Sequence, residues 1–242
     1  MRPFLSATWR HVAMLNYEVD PALLAGLVPR GTELDAWQGR TYLSVVGFLF
    51  LDTRVLGVPI PFHRHFEEVN LRFYVRRLAK DGWRRAVVFV KEIVPRPAIA
   101  WVARMRYNEN YVAHPMDHAI AYAAGEPGRV ISVTYRWHTA GRANRLTMSV
   151  NELPQPLLPG SEAEFIAEHY WGYARQPDGG TVEYQVVHPP WTAAPAVATE
   201  LDCDVARVYG DRFVAVLRTQ PTSAFLAHGS AVTVSKGIPL VG

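Results

Sequence analysis

One cysteine, three lysines and no apolar run long enough to cross a bilayer are what this 242-residue sequence has little of. The lone Cys203 has no second thiol to pair with, so a reducing compartment, the cytoplasm, is expected. It sits between Asp202 and Asp204, whose charges raise a thiol pKa, which makes it a poor nucleophile. The longest apolar stretch, over residues 42–51, ends at Asp52. That is far short of the roughly 20 residues needed to span a membrane as a helix. Arg10 and His11 interrupt the opening MRPFLSATWRHVAML, so no signal peptide and no membrane partner are expected. No G-x-S-x-G elbow is present, and no glycine-rich loop follows a strand and opens a helix. These absences argue against a serine hydrolase and against a nucleotide cofactor, and no cofactor is expected.

Net charge is +3 with a pI near 9.1. The cations are scattered, with no run longer than two, and all but Lys80, Lys91 and Lys236 are arginines. A nucleic-acid surface would cluster them among aromatics, so no nucleic-acid partner is expected.

What is present suits a sizeable β-rich core. Hydrophobic residues make up 49% and aromatics 12%, and 18 prolines with 17 glycines favour many turns over long helices. Asp20 can cap a short helix with Pro21 at its first position and Leu23, Leu24 and Leu27 on one face. Strands are expected over 41–50 and 68–75. In the second, Val69, Leu71, Phe73 and Val75 alternate with Glu68, Asn70, Arg72 and Tyr74. Residues 55–65, with Pro59 and Pro61, read as a loop. Lys80-Asp81-Gly82 predicts a hairpin turn into a valine-rich strand over 85–94. Residues 98–107 suit either a helix or a strand. Further strands are expected over 129–138, 142–151 and 181–187, and within 196–208 and 225–235. Ser161 and Glu164 make a capping-box pattern before Phe165, Ile166 and Tyr170. No repeat or composition break divides the chain, so one domain over residues 1–242 is expected. A closed or nearly closed barrel with a few peripheral helices would hide its strand edges.

Five stretches, NYEVDPALLAGLVPRGTELD, SVVGF, FEEVNLRFYV, HPPW and FLAHGS, run in order through the chain and resemble the YqjF-like bacterial family. That family is similar in fold to acetoacetate decarboxylase, which implies an antiparallel β-barrel with a small-molecule pocket. Arg10, Tyr17, Asp20, Leu24, Val28 and Pro29 match the decarboxylase's opening layout, and its substrate-binding arginine would fall on Arg10. An active-site glutamate falls near Glu67 or Glu68, and another on Glu92. The paired lysines, one of which forms a Schiff base there, fall on Ala98 and Ile99, which cannot form an imine. The resemblance thus implies the fold and the pocket without that chemistry.

The candidate catalytic residues are therefore Glu68 and Glu92, and the candidate substrate-binding residues Arg10, Asn70, Arg72, Arg104 and Tyr107. Glu68, Asn70, Arg72 and Tyr74 share a strand face that is either the wet side or a barrel lumen. The apolar opposite face favours the lumen, because helices packed outside would bury it. Arg10 has the planar fork that suits a carboxylate, and its expected place is a cavity shared with Glu68. Arg72, if buried, should have a carboxylate partner. Arg104, Tyr107 and Tyr111 would line one helix face. His63 with His65, and His114 with His118, are paired at metal-compatible spacing, but neither pair has a third ligand fixed by the pattern, so no metal is expected. His188, before Pro189-Pro190-Trp191, reads as pinning a turn.

Two functions remain open. One is acid-base chemistry on a small oxo or hydroxy acid by a lyase, hydratase or isomerase type of reaction without an imine. The other is a non-catalytic domain that binds such a ligand. The expected partner is a small-molecule acid, and a homo-oligomer is left open.

Overall fold

A computed structural model describes residues 3–60, 63–96 and 110–240. Twelve strands carry the architecture: β1 (Leu5–Val19), β2 (Thr41–Val55), β3 (Phe66–Ala79), β4 (Gly82–Val94), β5 (Met116–Tyr122), β6 (Val130–Thr139), β7 (Arg142–Val150), β8 (Trp171–Arg175), β9 (Thr181–Val187), β10 (Thr192–Asp202), β11 (Ser223–Ala227) and β12 (Ala231–Val234). Strands of two or three residues add to their edges. The helices are short: α1 (Pro21–Ala25), α2 (Glu162–Ala167), α3 (Val205–Tyr209) and α4 (Val214–Leu217). Asp20 caps α1 by accepting from the Ala22 amide at 2.8 Å, and Ser161 caps α2 by accepting from the Glu164 amide at 3.2 Å. Both caps follow from the sequence. Helix α2 stops at Ala167, three residues short of Tyr170, so Tyr170 lies beyond the helix.

Strand pairing closes a ring: β1 with β2, then β3, β4, β8, β9 and β12, and back to β1. All contacts are antiparallel except β4 with β8, which is parallel. A second layer, β5–β6–β7–β10, is antiparallel throughout. Strand β10 joins the two layers, since residues 193–195 pair with β11, which pairs in turn with β1.

The second layer is what buries the outer face of the ring. Val69, Leu71, Phe73 and Val75 are fully buried, in one cluster with Val133, Tyr135, Trp137, Leu146 and Met148 from β6 and β7. The sequence led us to expect helices there. A sheet does most of that covering, with α3, α4 and the turn between them adding Val205, Tyr209, Phe213 and Leu217 nearby. The strand expected within 196–208 is β10 followed by α3, and the one expected within 225–235 is two strands broken at Gly229. At Gly229, φ is +77° and an added Cβ would sit 2.3 Å from the Trp9 carbonyl oxygen, so the turn requires glycine.

The inner face of the ring holds a second apolar cluster, including Met14, Val46, Phe48, Phe50, Phe66, Tyr74, Phe165 and Trp191. The two layers fit closely at Gly47 on β2. A Cβ there would meet the buried Tyr135 ring at 2.6 Å, while the Tyr135 hydroxyl donates to the His11 carbonyl at 2.7 Å. Gly47→Ala should therefore destabilise the protein by roughly 1–3 kcal/mol through overpacking. Urea unfolding followed by far-UV circular dichroism measures this, and an unchanged midpoint would mean that the ring has room to move.

Candidate functional site

A cavity of about 250 Å³ occupies the ring. Its floor follows from alternation along β3. Glu68, Asn70 and Arg72 project inward from that strand and Glu92 projects from β4 opposite Asn70, and all four line the cavity. Their exposures are 2%, 1%, 8% and 1%, so this face is interior and not the wet side.

The register orders the cavity along its axis. Leu5 pairs with both Val55 and Val234, and these three mark one end together with Phe4, Ile60 and His63. Trp9 pairs with Phe50 in the middle. Met14 pairs with Val46, which pairs with Asn70, and the Arg72 guanidinium reaches Met14 at the far end. The middle is aromatic. Phe50 stacks on Phe66 at 4.6 Å, and Trp9 meets Phe48, Phe50 and Trp191 edge-on at 5.2, 5.8 and 6.1 Å.

Hydrogen bonding within the floor is uneven. Glu68 accepts from the Asn70 amide nitrogen at 2.9 Å and from the Tyr111 hydroxyl at 3.3 Å. Arg72 donates to the Ile166 carbonyl at 3.3 Å and to the Met14 sulfur at 3.8 Å, and its guanidinium lies 5.6 Å from the Tyr74 ring centroid. Its Nε has no partner, and no carboxylate of the described residues forms an ion pair with it. This corrects the expected carboxylate partner. Arg72 stands opposite Phe89, after a register shift between Leu71 and Arg72, so the facing strand offers it no acid there, and α2 supplies a carbonyl in place of a carboxylate.

Arg10 is not among the residues that line the cavity. It donates to the Gly229 carbonyl at 3.1 Å. The expectation that Arg10 and Glu68 share one cavity is therefore corrected. The cause is a bulge in β1 between Arg10 and Ala13, with His11 at φ +54°. It brings Trp9 and Val12 to the cavity and leaves Arg10 outside it. Arg104 and Tyr107 lie outside the described residues, as do Ala98, Ile99 and the rest of the segment 98–107. Tyr111 belongs to a short strand, Tyr111–Ala113, parallel to β4, and not to a helix. Among the described residues no three His, Cys, Asp or Glu side chains gather as a metal site.

No sequence motif announces the charged group near Arg72. His169 lines the cavity just past α2, and its Nε2 lies 3.6 Å from Asp35 and 3.4 Å from Arg85. Arg85 donates to Asp35 at 2.8 Å. These residues are 50 to 134 positions apart, joined by no motif, and only the fold unites them. Burial, then the Arg85 and Arg72 charges, push the His169 pKa down to about 4 against the pull of Asp35. Burial would raise Asp35, but hydrogen bonds from His169 and Arg85 outweigh it and hold the carboxyl below its usual range. His188 is also lowered, chiefly by burial with Arg72 adding to it. It stacks on Trp191 at 4.4 Å, and its Nδ1 lies 2.9 Å from the Pro189 carbonyl. A carbonyl only accepts, so Nδ1 carries the proton.

Comparison with known proteins bears on the family and the fold. The model of the DUF2071 family, described as an uncharacterized conserved protein, matches residues 6–231. The chain belongs to the DUF2071 family. The uncharacterized protein YqjF of Bacillus subtilis (strain 168) is 38% identical over 76 residues, a match that spans 31% of this chain and 31% of that relative. Among solved structures, the enduracididine biosynthesis enzyme MppR complexed with pyruvate superposes with a TM-score of 0.68 at 14% identity, covering 100% of this chain and 92% of its own. Acetoacetate decarboxylase from Legionella pneumophila gives 0.65 at 13% identity, covering 99% and 87%. An acetoacetate decarboxylase-like enzyme from Sphingomonas wittichii RW1 gives 0.66 at 12% identity, covering 99% and 94%. The DUF2071 chain thus has the acetoacetate-decarboxylase-like fold.

Two predictions follow from the site. Lys91 stands opposite Leu71, away from the cavity that its neighbour Glu92 lines. Burial lowers its pKa, yet it is not placed to meet a ligand held there. Incubation with pyruvate and borohydride should leave the intact mass unchanged, and a single adduct mapped to Lys91 would restore imine chemistry. The second concerns pH. The folded chain keeps His169 neutral down to about pH 4, whereas the unfolded chain protonates it near 6.5. Its contribution to stability is therefore complete above pH 6.5 and is lost as pH falls from 6.5 towards 4, about 2 kcal/mol by pH 5. His11, also lowered to about 4, adds a loss of the same sign. Urea midpoints at pH 7 and pH 5 should draw closer in His169→Gln, leaving the parts of His11 and of the other lowered histidines, His114, His188 and His228.

Proposed function

We propose that the cavity takes a small oxo or hydroxy acid, whose carboxylate is held by Arg72 with Asn70, and that Glu68 or Glu92 moves a proton on the bound acid. The observation that carries this reading is Arg72, a cation 8% exposed, set against a cavity without an ion-pair partner among the described residues. A buried guanidinium left without a counter-charge is costly, and a ligand carboxylate supplies one in the geometry that its fork accepts. Glu92, opposite Asn70, and Glu68, beside it, lie next to that anchor. They suit proton transfer at the carbon beside the carbonyl in a lyase, hydratase or isomerase type of step. The pyruvate complex of MppR, a protein of the same fold, is consistent with an acid in such a pocket.

The non-catalytic alternative is favoured by one observation. Two hydrogen bonds already hold the Glu68 carboxylate, from Asn70 and Tyr111. Deuterium exchange at C3 of pyruvate, followed by proton NMR, separates the two readings. If the protein is catalytic, exchange is expected to be accelerated, and to fall at least tenfold in Glu68→Gln or Glu92→Gln while binding persists. Binding without exchange would leave a ligand-binding domain. Arg72→Met should weaken binding by roughly 10- to 100-fold, the value of a hydrogen bond to a charged group. If titration calorimetry finds no acid that binds the parent protein, both readings fail.

A further inference from the structure

The polar floor occupies one end of the cavity only. Beyond Glu68 towards the other end, the wall is made of Phe48, Phe50, Phe66, Trp9 and Trp191, then of Leu5, Val55, Ile60, Val186 and Val234. Arg72 and Phe66 are six residues apart on one strand, about 20 Å of rise. A three-carbon acid anchored at Arg72 would end well short of the Phe50–Phe66 stack. The aromatic groups would then face water inside the ring, and the apolar end would contact nothing. Ile60, 36% exposed, and the half-buried His63 lie at that end, whereas Asn70 and Arg72 at the other are buried. The cavity therefore runs from a charged, closed end to an apolar end nearer the surface.

We propose that the acid bound here carries an extended apolar body, an alkyl or aryl-alkyl chain that runs from Arg72 through the aromatic middle towards Val55 and Ile60. This rests on the acid-binding reading above and adds the substrate class. Three features support it. The wall is continuous in apolar character over that path, it includes two tryptophans and three phenylalanines in edge-to-face or stacked contact, and the volume of about 250 Å³ holds on the order of eight waters at ~30 Å³ each. Displacing poorly held water from such a wall with methylene groups is favourable in proportion to the area covered. The hydrogen-bonding side chains along this path are Thr53 and the half-buried His63 at the apolar end, Tyr184, and His188 against Trp191, and the rest of its wall is hydrocarbon and aromatic.

The test is titration calorimetry on the full chain with pyruvate, 2-oxobutanoate, 2-oxohexanoate and 2-oxooctanoate, and with the uncharged 2-octanone. Affinity is expected to rise about fourfold for each methylene that enters the apolar wall, with 2-octanone binding at least tenfold more weakly than 2-oxooctanoate. Val55→Thr keeps the side-chain shape and adds a hydroxyl to the wall. It should reduce the preference for 2-oxooctanoate over pyruvate severalfold. Equal affinity across the four acids would overturn the apolar-body proposal and leave the acid-binding reading intact. Binding of 2-octanone as tight as that of 2-oxooctanoate would overturn both, since the charge at Arg72 would then count for nothing. An unchanged preference in Val55→Thr would remove the chain from the path assigned to it.

Discussion

Strand β3 is buried on both faces, and that constraint organises the rest of the molecule. Alternation sends Val69, Leu71, Phe73 and Val75 one way and Glu68, Asn70, Arg72 and Tyr74 the other. The second sheet seals the first set, so the second set is left inside the ring with no water-facing side to use. A polar group there must find a partner or lose several kcal/mol. The partners are specific. Tyr74 donates to Ser44 at 2.7 Å, and Ser44 donates to Asn16 at 2.7 Å, which ties β3 to β2 and β1 through their inner faces. Glu68 takes Asn70 and Tyr111. Arg72 takes a carbonyl of α2 and a methionine sulfur, neither of which carries a full negative charge.

Helix α2 owes its place to the same end of the ring. Arg85 donates both to Asp35 and to the Phe165 carbonyl, so one guanidinium fastens the last turn of α2 to the β3–β4 side of the ring. His169 follows two residues later, its ring tilted by 36° against Tyr74 with centroids 4.7 Å apart. The two arginines act on His169 in one direction, each disfavouring a second positive charge beside it, and burial acts the same way. Positive charge at this end is therefore carried by guanidinium groups, while the neutral form of His169 and His188 is favoured. A ligand anion entering here meets the Arg72 side chain.

The inner floor was legible in the sequence because alternation over 68–75 is a local pattern with a period of two. The caps of α1 and α2 were legible for a similar reason, since each is written within four residues. What stayed hidden was long-range. The second sheet could not be inferred as the cover of β3, because an apolar face accepts a helix or a sheet equally well. Strand β5, MDHAIAY, carries Asp117 and His118 and gives little periodic signal. The bulge at His11 inserts a residue without a glycine or proline to announce it, and it moved Arg10 from inside to outside. The Asp35–Arg85–His169 group spans three separate elements, and nothing in the spacing of its members joins them.

The resemblance to acetoacetate decarboxylase implies that its lysine pair falls on Ala98 and Ile99, and on that alignment chemistry in this pocket would run without an imine. An imine serves as an electron sink, because protonated nitrogen accepts the charge that develops when a bond to the neighbouring carbon breaks. Without it, that charge falls on the carbonyl oxygen of the bound acid and needs positive or hydrogen-bonding groups set in advance. On the acid-binding reading, Arg72 is already committed to the carboxylate by one edge of its fork, while its unpartnered Nε remains close to the same ligand. One guanidinium could then bind the acid and support the oxygen beside it. That division of labour demands a ligand whose carboxylate and oxo group are adjacent, which separates 2-oxo acids from 3-oxo acids. A pocket built this way would bind a 3-oxo acid through its carboxylate yet offer its oxo group no donor from Arg72.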